Sequence, residues 1–158
     1  PRVGIHRHRN NKDTPTCFLP WGKVMYEYNA TIVRVVDGDT VDVDIDLGFD
    51  CWFYNQRIRL SGIDTPECRT RDKQEKAHGL LAKKFVQENL AVGKVYRLQT
   101  KEKGKFGRYL GEFKSRKGFI TKLLLKAQLA VVYQGQNKKD IKAEHEVNRQ
   151  ELIKKGLL

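Results

Sequence analysis

Thr40-Val41-Asp42-Val43-Asp44-Ile45-Asp46-Leu47 alternates without a break between apolar and acidic side chains after its first residue. Successive residues of a strand point to opposite faces. The run therefore predicts a β-strand with Val41, Val43, Ile45 and Leu47 on the covered side and Asp42, Asp44 and Asp46 on the other. The acidic row is read as solvated, and it would discourage pairing of an edge with another chain. Asp39 has the opposite parity, in phase with Val41 and Val43. It is expected to point inward at the rim of the fold, where an ionised carboxylate needs hydrogen bonds or a cation. Parity alone leaves two roles open for Asp39, cation ligand or acceptor for turn amides.

Upstream of this strand, residues 26–36 are of extended type and end in Ile32, Val33, Val35 and Val36, after which Asp37-Gly38 makes a turn. Downstream, Gly48 interrupts the run, and residues 51–60, with Trp52, Phe53, Tyr54, Ile58 and Leu60, read as a third strand. Asp72 with Glu75 forms the expected capping box of a helix reaching about residue 90, with Ala77, Leu81 and Phe85 at helical spacing and Gly79 inside it. Residues 94–99 and 107–113 read as two more strands. Ile120, Leu123, Leu124 and Ala127 follow the spacing of an amphipathic helix, and Asp140 is expected to cap a charged final helix to about residue 155. The order is β-β-β-α-β-β-α-α. This is an α+β chain with a mainly β core, and five strands with three inserted helices fit a small closed barrel of OB type.

The 158 residues predict one domain, at residues 26–158, preceded by an extension at residues 1–25 that shows no periodicity and could dock a protein partner. His6, His8 and Cys17 in that extension match no zinc spacing and read as surface residues. Cys17, Cys51 and Cys68 form no CxxC pair and suit a reducing compartment. No apolar run is long enough to span a membrane, and the first residues lack the apolar stretch of a secretory signal; an intracellular (cytoplasmic) product is the favoured expectation, with secretion after cleavage of a precursor as the alternative. Lys and Arg number 31 against 19 Asp and Glu, a formal +12 that points to DNA or RNA as a partner. The charge is segregated. Residues 101–117 hold seven basic and two acidic residues among Phe106, Tyr109 and Phe113, whereas residues 37–50 hold six aspartates and no base.

A second acidic turn, Asp64-Thr65-Pro66-Glu67, follows the third predicted strand. Pro66 keeps Thr65 extended, so neighbouring side chains fan apart and Asp64 and Glu67 can serve one site without coinciding. A hard cation such as Ca²⁺ takes several oxygen ligands at about 2.3–2.6 Å. Asp39, Asp64 and the Thr65 carbonyl would form half a shell, with Glu67 placed to take a proton from a bound water. Arg59 precedes this turn and Arg108 lies in the basic stretch; together they would offer planar donors to a phosphate whose oxygens gain charge in a transition state. Taken singly, Arg59 with Arg57 also reads as a solvated pair of one strand face, and the turn also reads as a simple charged turn.

The blocks Val36-Asp37-Gly38-Asp39-Thr40, Arg57-Ile58-Arg59-Leu60 leading into Ile63-Asp64-Thr65-Pro66-Glu67, Lys105-Phe106-Gly107-Arg108 and Ala127-Gln128-Leu129-Ala130 stand in a characteristic order. In that order and spacing the chain resembles the staphylococcal (micrococcal) nuclease or thermonuclease family, over about residues 26–155. The resemblance implies a calcium-dependent phosphodiesterase on an OB-type barrel, acting on DNA or RNA and leaving 3′-phosphate ends. It implies Asp39, Asp64 and the Thr65 carbonyl as Ca²⁺ ligands, Glu67 as general base, and Arg59 and Arg108 as the phosphate-binding pair. Asp37 then matches a nearby supporting acid, Lys105 a substrate-phosphate lysine, and Tyr133 a base- or phosphate-packing tyrosine. The family usually carries Tyr where this chain has Phe106, which removes a hydroxyl donor to a terminal phosphate. The rival expectation is a non-catalytic nuclease-like module, or a structural assembly component, that keeps the barrel as a scaffold.

Overall fold

A computed structural model describes residues 26–103 and 108–158. The long strands are β1 (Tyr26–Asp37), β2 (Thr40–Asp46) and β3 (Trp52–Leu60), followed by the two-residue β4 (Ile63–Asp64) and helix α1 (Lys73–Asn89). Then come β5 (Val95–Lys103), β6 (Tyr109–Ser115), β7 (Gly118–Phe119), α2 (Ile120–Lys126), β8 (Val131–Val132) and α3 (Lys138–Lys154). This is a mixed α+β fold with a mostly antiparallel sheet in the order β3-β2-β1-β5-β6-β7. The five expected strands and three helices are present among the described residues. Strands β3 and β6 also meet in a short parallel pairing, Ile58 to Leu60 against Tyr109 to Gly111. The two-residue β4, β7 and β8 were not predicted, because periodicity needs a longer run to register. The expectations for residues 1–25, including His6, His8 and Cys17, and for Lys105 and Phe106 lie outside the described residues.

Val41, Val43 and Ile45 are buried as their parity demands, and they pack with Ala30, Ile32, Ile58, Leu60, Leu98 and Phe113. Leu47 falls beyond β2 and is exposed. The acidic row divides. Asp42 is only 7% exposed, because Arg57 donates to both of its oxygens at 2.7 and 3.0 Å and Arg34 donates at 2.7 Å. Parity assigned Asp42 to the outer face correctly, but the two arginines cover that face and replace water there.

Helix α1 begins at Asp72, whose carboxylate accepts from the Gln74 and Glu75 amides. The expected box is half formed: Glu75 accepts instead from the Thr70 hydroxyl at 3.2 Å. The buried face of α1 is His78, Gly79, Ala82 and Val86, whereas Leu81 and Phe85 pack at its flank and Ala77 is exposed. Gly79 is the reason. It lets α1 approach the 66–67 backbone closely, since a Cβ there would lie 2.7 Å from the Pro66 carbonyl oxygen. Asn137 occupies the N-cap position of the last helix without a side-chain capping bond, and Asp140, expected as the cap, sits within the first turn. No helix among the described residues is long and apolar enough to cross a membrane.

Candidate active site

Three local devices bring the two acidic turns together. Gly38 packs against Thr65 and Ala82 so tightly that a Cβ would lie 3.0 Å from the Thr65 hydroxyl oxygen and 2.9 Å from the Ala82 Cβ. The Asp37-Gly38 turn therefore needs glycine for close approach. The Leu60 amide donates to the Asp39 carbonyl at 2.8 Å, tying the turn to the end of β3. Asp64 is held by β4, which pairs with β8 through Asp64 and Val131.

Arg59 lies opposite Thr40 across β2 and β3. Its guanidinium bridges the two turns, with Nη1 2.8 Å from Asp39 Oδ2 and Nη2 2.6 Å from Asp64 Oδ1. Arg57, of the same parity, pairs with Asp42 instead, so the two arginines do not form a solvated pair. The Thr40 hydroxyl donates to Asp39 Oδ1 at 2.7 Å. His145, on α3, places Nε2 3.2 Å from Asp64 Oδ2. Asp37 accepts a hydrogen bond from the Cys68 thiol, while its Oδ1 is buried with no partner among the described residues. Burial, reinforced by Asp37, pushes that thiol up to about 11.

The carboxyls sit in contrasting fields. Burial lifts Asp39 above its ordinary value, and Arg59 and Thr40 do not offset it. Burial also acts upward on Asp64, but the His145 hydrogen bond and the Arg59 charge outweigh it and hold that carboxyl low. Glu67 is raised, first by burial and then by the negative charges of Asp37, Asp39 and Asp64. Its chain position is exposed, yet its carboxyl shares the cleft wall and loses part of its water.

A cleft of about 790 Å³ brings Arg59, Asp64, Glu67, Arg108 and Tyr133 onto one surface. Asp39 and Thr65 are buried behind it and do not line it. The sequence reading missed the opposite wall, which α3 supplies through Lys138, Lys142, His145 and Arg149. Arg149 pairs with Glu146 on its own helix and stands 4.0 Å from the capping Asp72 of α1. The only signal in the sequence was the recurrence of Ile141, His145 and Arg149 every four residues along one helical stripe.

The cleft joins the second acidic turn to Arg59 and Arg108, and Arg59 reaches from it to Asp39 of the first. Residues 57–157 match the family described as Staphylococcal nuclease homologue, and the chain belongs to that family. Among individual proteins, it is 33% identical over 106 residues to a thermonuclease of Staphylococcus hyicus, covering 66% of this chain and 59% of that protein. A thermonuclease of Staphylococcus intermedius is 36% identical over 80 residues, covering 50% of this chain and 44% of that protein. An uncharacterized protein of Methanocaldococcus jannaschii is 34% identical over 102 residues, covering 52% of this chain and 46% of that protein. The chain thus spans about half the length of the curated relatives it matches.

Proposed function

We propose that this chain is a calcium-dependent nuclease that hydrolyses phosphodiester bonds of DNA, RNA or both, releasing the 5′ oxygen and leaving 3′-phosphate ends. The observation that carries the reading is the Asp39–Arg59–Asp64 bridge, whose Arg59 and Asp64 line a cleft that also presents Glu67 and Arg108. The kinship with thermonucleases and the formal +12 charge point the same way. The β3–β6 pairing, which joins the two ends of the run β3-β2-β1-β5-β6, supports a closed OB-type barrel beneath the site.

Asp39, Asp64 and the Thr65 carbonyl are the groups that would hold the calcium ion. The cluster fits a cation: Asp37 keeps a buried oxygen without a partner among the described residues, and Asp39 and Glu67 are raised first by burial and further by the neighbouring carboxylates, both of which a cation would offset. Among the described residues no three His, Cys, Asp or Glu side chains converge on one point. Two carboxylates, a carbonyl and water suffice for a hard cation. When bound, the ion supplies positive charge against the phosphate oxygens.

Glu67 accepts the proton of the attacking water. Its raised value brings it nearer to neutral pH, where a general base transfers protons most effectively. Arg59 donates one N–H to Asp64 and faces Asp39 as an ion pair, so most of its five donors remain for a phosphate. Arg108 faces the same cleft and supports the opposite phosphate oxygen as charge develops. Tyr133, exposed at the cleft wall, offers a ring for a base or a hydroxyl for a phosphate.

The test is degradation of single- and double-stranded DNA and RNA with Ca²⁺, with Mg²⁺ and with chelator. Cleavage that requires Ca²⁺ and stops on chelation is expected. Binding that ignores Ca²⁺, with no cleavage, would identify a non-catalytic nucleic-acid-binding or structural module instead.

A further inference from the structure

Resting on the calcium site proposed above, we infer that His145 is a positioning residue: it fixes the rotation of the Asp64 carboxylate and so determines which oxygen Asp64 presents to the cation. The two oxygens of Asp64 have separate partners. Oδ1 accepts from Arg59, whose other terminal nitrogen ion-pairs with Asp39, so Oδ1 lies on the side shared by both turns. Oδ2 meets His145 Nε2 at 3.2 Å. A carboxylate accepts only, so Nε2 carries the proton of this contact. With Oδ2 turned toward His145, Oδ1 is the oxygen on the Asp39 side; it accepts from Arg59 and keeps a further lone pair for a single-point contact with the cation. Hydrogen-bond partners behind a metal ligand fix its orientation in this way.

The His145 ring is built for one contact. Its side chain is 14% exposed, its edge packs against His78 with ring centroids 6.3 Å apart, and its Nδ1 is buried without a partner among the described residues. Leaving a buried ring nitrogen unsatisfied is unfavourable. The fold accepts that at this position while directing Nε2 at Asp64. The helix is registered to match. Asn148, three residues on, donates to the Ala130 carbonyl at 3.3 Å, next to Val131, the pairing partner of Asp64 in β8. Arg149 reaches toward Asp72 at the start of α1. Helix α3 is therefore aligned on the short β4–β8 sheet, and completion of the cation site depends on its docking.

The experiment compares His145→Leu, which removes the donor, with His145→Gln, whose side-chain amide places an N–H near the position of Nε2. Calcium binding is measured by titration calorimetry on the metal-free full chain without nucleic acid, alongside kcat, KM and thermal unfolding. His145→Leu is expected to weaken Ca²⁺ binding by about 10–100-fold and to lower kcat at saturating Ca²⁺ with KM nearly unchanged. His145→Gln is expected to recover most of both losses. Unaltered Ca²⁺ affinity in a folded His145→Leu variant would overturn this inference alone. Equal losses in the two variants, tracking equal drops in Tm, would reduce His145 to packing and also overturn it. No Ca²⁺ binding by the unmodified chain would overturn the calcium site and this inference together.

Discussion

The Cβ that Gly79 lacks would lie 2.7 Å from the carbonyl oxygen of Pro66, so helix α1 rests directly on the backbone of the turn that carries Glu67. An alanine in an exposed helix would gain up to about 1 kcal/mol over glycine. Here the methyl group meets main chain, which cannot swing aside. Gly79→Ala is expected to destabilise the fold by about 1–3 kcal/mol, the usual range for overpacking, and to lower activity by displacing Glu67. Urea unfolding and an activity assay on the same preparation check both effects.

Asp42 makes a contrasting prediction because it lies outside the cleft. Hydrogen bonds from Arg57 act first, and Arg34 adds to them, to hold its carboxyl below its ordinary 3.8 despite partial burial. A carboxyl lowered in the folded state contributes stability above its unfolded value and loses that contribution as pH falls through the folded value. Both arginines remain largely exposed, so the contribution is modest. Asp42→Asn is expected to cost about 1 kcal/mol at pH 7 and progressively less as the pH is lowered below 3.8, with turnover unchanged. Denaturation across that pH range measures the difference.

The sign reverses at Asp39. Burial raises its carboxyl above 3.8, so the folded state holds the proton more tightly than the unfolded chain does. Above the folded value both states are ionised and the unfavourable burial of charge is fully present; it is relieved as pH falls. Asp39→Asn removes that charge while Arg59 retains Asp64. In chelator at pH 7 the variant is expected to be as stable as the unmodified chain or more stable by about 1 kcal/mol. Its Ca²⁺-dependent rise in Tm is expected to vanish. Melting curves with and without Ca²⁺ report both.

The alternation of Val41, Val43 and Ile45 and the helical spacing from Ile120 to Ala127 made the sheet and α2 legible, because burial imposes a period on the sequence. Whether a face is covered is not periodic information. Asp42 was placed on its face correctly but read as solvated, since Arg34 and Arg57 arrive from neighbouring strands. Helix α1 was located, but its buried stripe fell on His78, Ala82 and Val86, because Gly79 sets a close approach that apolar residues do not mark. The acidic turns and Arg59 were legible as motifs. His145 was not, because nothing local in a charged helix says that it docks on β4 and β8, two strands of two residues each.

Glu67 carries the central claim. Protein burial and the charges of Asp37, Asp39 and Asp64 raise its carboxyl above 4.5, so turnover is expected to fall at acid pH as Glu67 takes up a proton. The decisive measurement is single-turnover cleavage of an end-labelled oligonucleotide at saturating Ca²⁺, with product ends identified, for the unmodified chain and for Glu67→Gln across pH. The unmodified chain is expected to yield 3′-phosphate and 5′-hydroxyl ends. The variant is expected to react about 10²–10⁴-fold more slowly, with binding retained and the acid limb of the pH profile removed. Full turnover in Glu67→Gln, or products bearing 5′-phosphate ends, would contradict Glu67 as the base and release of the 5′ oxygen.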